Sequence, residues 1–520
     1  MRHLNFIILT LAGIFLFSCK HDAIPLRVKD ALEQAKSNSV ELQKTIDHYS
    51  VHSEDSLKLK AAYFLISNMG KHSYYQAKIV DSSGNNVAFN VLDYPDYTTM
   101  VRAWDSVEKK IGSIDFAKDT IIYDIRSITA KFLIENIDLA FEAWQKPWAR
   151  FLSFDEFCNY LLPYRSSNEP LEYWRRAFVE RYHWIIDSIK DRKNTMEAAF
   201  LINNEIKSWY AFDPLFYRHP TDLGYQEMLE LKRGRCEDMT NLAIYAMRAQ
   251  GIPVVSDYTP AWPNTGNNHA WNAILTPSRE LVIFMGGLQN PGEYKLNNKK
   301  AKVYRKMFAT QKDALASIKP SYEKVPGWLR SKTYIDVTQE YIAAVSPNVE
   351  LSNPAPDSVH FAYLCVFNSG EWKAIHWGKI KNGEAQFSDM GSDIVYLPAY
   401  YKKQKLIAAN DAFILDSTGK CHYLQADTSH QINIKLYSTT RRAIVKTTDE
   451  IRESAFKNGK EYELFYWDKE WKKLGSQIAK EKNPLQFSAP SNALLWLVEK
   501  DSKKEERIFT IEAKGEQHWW

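Results

Sequence analysis

Cysteine is scarce: the chain has five in 520 residues, at positions 19, 158, 236, 365 and 421, and no CxxC pair. Disulfide-stapled secreted domains carry dense, patterned cysteines, and structural zinc sites use closely spaced thiols, so the spacing speaks against both. Charge of one sign is scarce too. The 67 basic and 63 acidic residues leave a net +4, with no polybasic block, so nothing points to nucleic acid as a partner. Gly-rich phosphate loops and calcium-loop patterns are missing. Beyond residue 17 no run is apolar enough to cross a bilayer. Together these absences predict no cofactor and no metal.

Aromatic residues are plentiful, with 16 Trp and 29 Tyr, and at this level they chiefly serve packing. The length predicts three or four domains at about 150 residues each. The start reads as a targeting segment: Arg2 and His3, then an apolar run from Phe6 to Phe17, then Ser18-Cys19. At about twelve residues the run is too short to span a membrane, and it predicts a cleaved signal over 1–19. A small residue before Cys resembles a bacterial lipobox, although Phe17 departs from its commonest form. Cys19 would then carry the lipid. The expectation is a secreted, lipid-anchored protein held at the membrane through Cys19, on the periplasmic face or the outer surface of the outer membrane.

Residues 20–199 read as a helical domain. Asn38 with Glu41, and Ser153 with Glu156, have the spacing of capped helix starts. Leu57, Ala61, Phe64 and Leu65 repeat at helical spacing up to Gly70, and Pro163 closes a later helix. Residues 200–300 change to an α+β pattern, and 301–345 read as a connector. From 346 the chain is strand-rich, with an Asn382-Gly383 hairpin signal. Here the sequence repeats itself. Glu371-Trp372-Lys373 recurs from Glu470 at an offset of 99, and Gln386-Phe387-Ser388 recurs from Gln486 at an offset of 100. Two matches in the same order predict two β-sandwich-like modules, at 346–435 and 436–520.

One stretch carries chemistry. Gly234-Arg235-Cys236 opens an apolar helical pattern, with Leu242, Ala243, Ala246 and Met247 on one face, that closes at Arg248-Ala249-Gln250-Gly251-Ile252-Pro253. A helix start stabilises negative charge, so Cys236 is expected to have a lowered thiol pKa, with Gly234 allowing a tight turn before it. Glu237 and Asp238 suit the helix dipole but oppose a thiolate. A Pro/Gly/Asn-rich loop, Pro260 to Asn268, leads into His269-Ala270-Trp271-Asn272-Ala273-Ile274-Leu275, which reads as a strand with His269 and Trp271 on one face. Cys158, Cys365 and Cys421 sit in apolar contexts and read as buried thiols.

A Gly-x-Cys heading a helix that ends Arg-Ala-x-Gly-Ile-Pro, followed by a His-Ala-Trp strand, resembles the transglutaminase-like superfamily core. The whole arrangement is similar to multi-domain secreted transglutaminase-like proteins of Bacteroidetes. The resemblance implies a papain-like thiol site, with Cys236 as nucleophile and His269 as base and acid. It also implies a peptide, protein or glycopeptide substrate, with hydrolysis expected over cross-linking. The family usually places an Asp some sixteen residues after the His, and here Met285 stands there. Asn272, Glu280, Gln289 and Asn290 are the candidates for orienting the imidazole. Trp262 and Trp271 are candidates for lining the substrate cleft. A second expectation stays open: an impaired core that acts as a scaffold binding a glycan or protein.

Overall fold

The computed structural model describes residues 24–441, 453–502 and 507–520. The expected signal segment and Cys19 lie outside them. No described helix is long and apolar enough to cross a membrane.

The centre of the molecule is the helix Cys236–Ala249 laid on a five-stranded antiparallel sheet. In spatial order its strands are Leu281–Phe284, His269–Leu275, Val254–Thr259, Tyr304–Lys306 and Tyr334–Asp336. The apolar stripe read from sequence understates this helix: every residue from Asp238 to Ala249 is buried. The sheet covers one side, and the helices Ala130–Trp144, Trp174–Arg181 and Thr195–Lys207 cover the rest.

The Arg248–Pro253 segment shows why such a motif is needed. Arg248 is buried, and its guanidinium donates to the carbonyls of Tyr160, Pro163, Arg165 and Val254 at 2.8–3.3 Å. Gln250 donates to the Phe178 carbonyl and accepts, through its own carbonyl, from the Trp148 indole. Gly251 has φ +79°, and a β-carbon there would stand 2.3 Å from the Ala143 carbonyl oxygen. Only glycine satisfies both conditions. The motif ties the far end of the central helix to the N-terminal helices.

The N-terminal region is helical at Leu26–Ala35, Ser39–Ser50, Ser56–Asn68 and Ala130–Trp144. Between the last two it adds an antiparallel strand pair, Ser73–Asp81 with Ile114–Tyr123, joined through the helix Tyr97–Ile111. Ser153 and Glu156 form the expected capping box. Asn38 and Glu41 do not: Asn38 donates to the Ile125 and Ile128 carbonyls, and Glu41 accepts from the Ala130 amide. Those polar groups are needed where two helices meet, and the tertiary contact overrides the local cap.

Residues 301–345 are not a connector. They supply the fourth and fifth strands of the central sheet, and Arg305 pairs with Asp257 through two 2.8 Å bonds. These strands are only three residues long, too short to show alternation. The boundary between β modules also moves. The strand Asp427–Leu436, which the sequence places in the first module up to residue 435, pairs with Leu485–Ser491 of the second.

The repeat is real in structure. The hairpin Phe361–Asn368/Glu371–Lys381 and the hairpin Glu461–Asp468/Glu470–Ile478 carry bulges at equivalent places, after Leu364 and after Leu464. Asn382-Gly383 is a turn with both φ positive, as the sequence predicts. The modules meet through an aromatic cluster in which Trp372 contacts Trp467 and Phe367 contacts Trp471 and Trp496, all edge-on at 5.3–5.5 Å.

Candidate functional site

Cys236 is the first residue of the central helix, and His269 is the first residue of the second sheet strand. Helix and strand pack so that both side chains line one cleft of about 730 Å³. The helical region supplies Lys71, His72, Ser166 and Ser167 to its walls, the strand Tyr304–Lys306 supplies Lys306, and the short helical turn Gly327–Arg330 supplies Trp328. The cleft is therefore built from segments spread over more than 250 residues of chain, which is why no local pattern displayed it.

The helix start is set by close packing. Gly234 lies in a short parallel pairing, Ala211–Phe212 with Arg233–Gly234. Its φ is not in the left-handed region, so close packing is what calls for glycine here. A β-carbon there would stand 2.4 Å from the Tyr210 hydroxyl and 2.8 Å from the Asp238 β-carbon. Asp238 caps the helix, accepting from the Arg235 and Leu223 amides at 3.0 Å. Burial pushes its carboxyl up to about 7, against the pull of Arg235. Glu237 is paired with Lys306, which also reaches the Ser167 hydroxyl at 3.0 Å. Asp222 pairs with Arg235 at 2.7 Å. The acids beside the thiol thus have cationic partners.

The expected lowering of the thiol pKa does not hold. Burial pushes Cys236 up to about 11, and Glu237 adds to the effect. The Ala270 amide and Arg235 offset only part. Desolvation outweighs the contacts that favour the thiolate. Burial also lowers His269 below its ordinary range, against Glu237. At neutral pH the two groups are a thiol and a neutral imidazole. Both line the cleft without a hydrogen bond joining them.

His269 Nε2 lies 2.6 Å from the Tyr294 hydroxyl. None of the four side chains proposed from sequence reaches the imidazole. Asn272 lies on the opposite strand face, donating to the Thr240 carbonyl and accepting from the Gly286 amide. Asn290 is bonded to Asn203 and Asn204. Glu280 bonds Ser278 in the turn at the far end of the strand, and Gln289 is exposed. Met285, at the position of the missing Asp, is buried. The strand that would continue beside His269 stops at Phe284. Gly286 and Gly287 then turn the chain tightly, since a β-carbon on Gly286 would stand 2.5 Å from the Ala243 β-carbon. The chain after the turn returns Tyr294 to the imidazole. Sequence gave no signal for this residue, which sits in a loop without periodicity.

Trp262 and Trp271 stand behind His269, with 5 % and 0 % exposure, their rings stacked 6.4 Å apart. Trp271 donates to the Tyr341 hydroxyl at 2.9 Å, and that hydroxyl donates to Asp257 at 2.6 Å. Of the other thiols, Cys158 and Cys365 are buried, whereas Cys421 is partly exposed. Among the described residues no group of three or more His, Cys, Asp or Glu is arranged to hold a metal ion.

Residues 183–284 match the family model of the transglutaminase-like superfamily. The match takes in the helix before the cleft and ends with the third sheet strand in sequence, at Phe284. A comparison with curated proteins finds no match. Among solved structures, the chain is similar to a candidate cysteine protease from Cytophaga hutchinsonii, at 13 % identity and a TM-score of 0.18. The similarity covers 31 % of this chain and spans 57 % of that one.

Proposed function

From a transglutaminase-like core at residues 183–284, we propose that this protein is a thiol hydrolase of amide bonds in peptides, proteins or glycopeptides. Cys236 is the nucleophile and His269 the general base and acid. The observation that carries this reading is the pairing of His269 Nε2 with Tyr294, which leaves Nδ1 as the ring nitrogen available to the thiol in the shared cleft. Nδ1 takes the thiol proton as Sγ bonds to the carbonyl carbon, and the imidazolium returns that proton to the departing amine. Water then adds to the thioester with His269 again as base, releasing the acid and restoring the thiol. Tyr294 accepts the Nε2 proton's hydrogen bond throughout and holds the ring plane. Water rather than an amine is the second acceptor, because the cleft is broad and lined by polar side chains. A secreted location with a lipid anchor at Cys19 belongs to the same proposal.

A second reading, an impaired core that binds a glycan or protein at the cell surface, is favoured by one observation: the imidazole has a phenol where the family usually has a carboxylate. Peptide-level mass spectrometry after brief iodoacetamide treatment at pH 7 separates the two. The hydrolase reading expects Cys236 to label faster than Cys421, and His269→Ala to remove that advantage. Equal labelling of Cys236 and Cys421, unaffected by His269→Ala, supports the scaffold.

A further inference from the structure

We propose that Asn368, in the first β module, is a positioning residue for His269, so that the C-terminal modules are part of the catalytic unit. The inference rests on the Cys236–His269 reading above. Asn368 is 3 % exposed, and its Nδ2 lies 2.8 Å from the Trp262 carbonyl and 2.9 Å from those of Thr265 and Asn267. These three carbonyls belong to the loop that delivers His269. The neighbouring Ser369 hydroxyl accepts from the Asn267 amide at 3.3 Å. Arg507, in the second module, bonds the Phe367 carbonyl at 2.7 Å and also the Pro263 carbonyl.

The loop needs such support. Asn267 is held at φ +63°, two residues before the imidazole, a left-handed conformation that Asn tolerates better than other side-chain-bearing residues and that the bonds to its amide and carbonyl fix in place. An amide group is the side chain that can donate to several carbonyls while staying neutral.

The internal repeat gives an independent comparison. In the second module the position equivalent to Asn368 is Asp468, whose side chain, among the described residues, bonds only the neighbouring Lys472, at 2.5 Å. The second module's turn is also one residue shorter: Asn368 pairs with Glu371 around Ser369-Gly370, whereas Asp468 pairs with Glu470 around Lys469 alone. That missing residue is why the Glu-Trp-Lys motif recurs at an offset of 99 when the strand before it recurs at 100. The two copies differ at the turn that grips the loop, and only the gripping copy carries the amide.

The test is the pH profile of Cys236 alkylation by iodoacetamide in the full chain. Asn368→Ala, and the isosteric but donor-less Asn368→Asp, are expected to reduce the His269-dependent part of the rate about tenfold, the equivalent of one well-made hydrogen bond. Both variants leave buried carbonyls unpaired and Asp adds a buried charge, so the thermal midpoint should fall as well, and the rates are compared at a temperature where each variant is folded. A rate and profile unchanged by both substitutions, while His269→Ala still abolishes the effect in the parent, overturns the positioning role alone. A parent rate indifferent to His269→Ala overturns the thiol reading instead. If neither Asn368 variant folds, Ser369→Gly decides. It suits the positive φ of that position and removes the hydroxymethyl group that accepts from the Asn267 amide and donates to Asn368, so a slower His269-dependent rate supports the clamp and an unchanged rate rejects it.

Discussion

The Tyr294 hydroxyl lies 2.6 Å from Nε2 of His269, and among the described residues no carboxylate touches that ring. A phenol can hold the imidazole in plane and accept its proton's hydrogen bond, but it brings no negative charge to stabilise an imidazolium. Tyr294→Phe removes the hydrogen bond and keeps the ring that packs beside His269. It should lower the His269-dependent rate at Cys236 about tenfold and leave folding unchanged, since a neutral hydrogen bond is worth roughly 1–1.5 kcal/mol. A Tyr294→Phe protein that reacts at the parental rate would remove Tyr294 from the mechanism.

The protonation states make a second prediction. Burial pushes the Cys236 thiol up to about 11 and holds His269 below its ordinary value of 6.5. A raised thiol pKa keeps the proton on sulfur through neutral pH, and a lowered imidazole pKa keeps His269 neutral there. Reactivity then depends on the imidazole as base, not on a preformed ion pair. The alkylation rate of Cys236 should rise once as His269 loses its proton below pH 6.5, level off, and rise again as the pH approaches 11. His269→Ala should erase the first rise and keep the second. A single rise that levels off, with no second rise as the pH passes 11, would mean a thiolate–imidazolium pair and would refute the assignment.

Much of the core was legible because its elements are local. The helix from Cys236, its stop at Gly251 and the strand from His269 all follow from periodicity and punctuation within a dozen residues or so. The repeat was legible because identical triplets mark equivalent hairpin positions. What sequence could not display was contact between distant segments. Arg248 is recognisable as part of a motif, but three of its four carbonyl partners lie more than 80 residues upstream. The strands Tyr304–Lys306 and Tyr334–Asp336 are short and gain their place from Asp257 and Arg305, a buried pair that no pattern marks. The thiol's pKa followed the same rule: the helix start was visible and argued for a lowered value, whereas the burial that raises it depends on the assembled fold. Tyr294 depends on a strand ending early, at Phe284, under two glycines pressed against the central helix.

The contact between Gly234 and Tyr210 allows a test of how the helix start is set. The Tyr210 hydroxyl is buried and has no hydrogen-bond partner among the described residues, an arrangement that costs free energy. Tyr210→Phe should therefore be neutral or stabilising by about 1 kcal/mol, read as a shift in denaturation midpoint at constant slope. Gly234→Ala places a β-carbon 2.4 Å from that hydroxyl and 2.8 Å from the capping Asp238. Overpacking of this kind costs about 1–3 kcal/mol, and displacing the cap should slow Cys236 labelling two residues away. Combining the two substitutions removes the clash with the hydroxyl but not the one with Asp238, so the double variant should recover about half of the stability lost by Gly234→Ala. Strictly additive effects would show that Tyr210 and Gly234 are not coupled, and that the helix start is fixed by Asp238 alone.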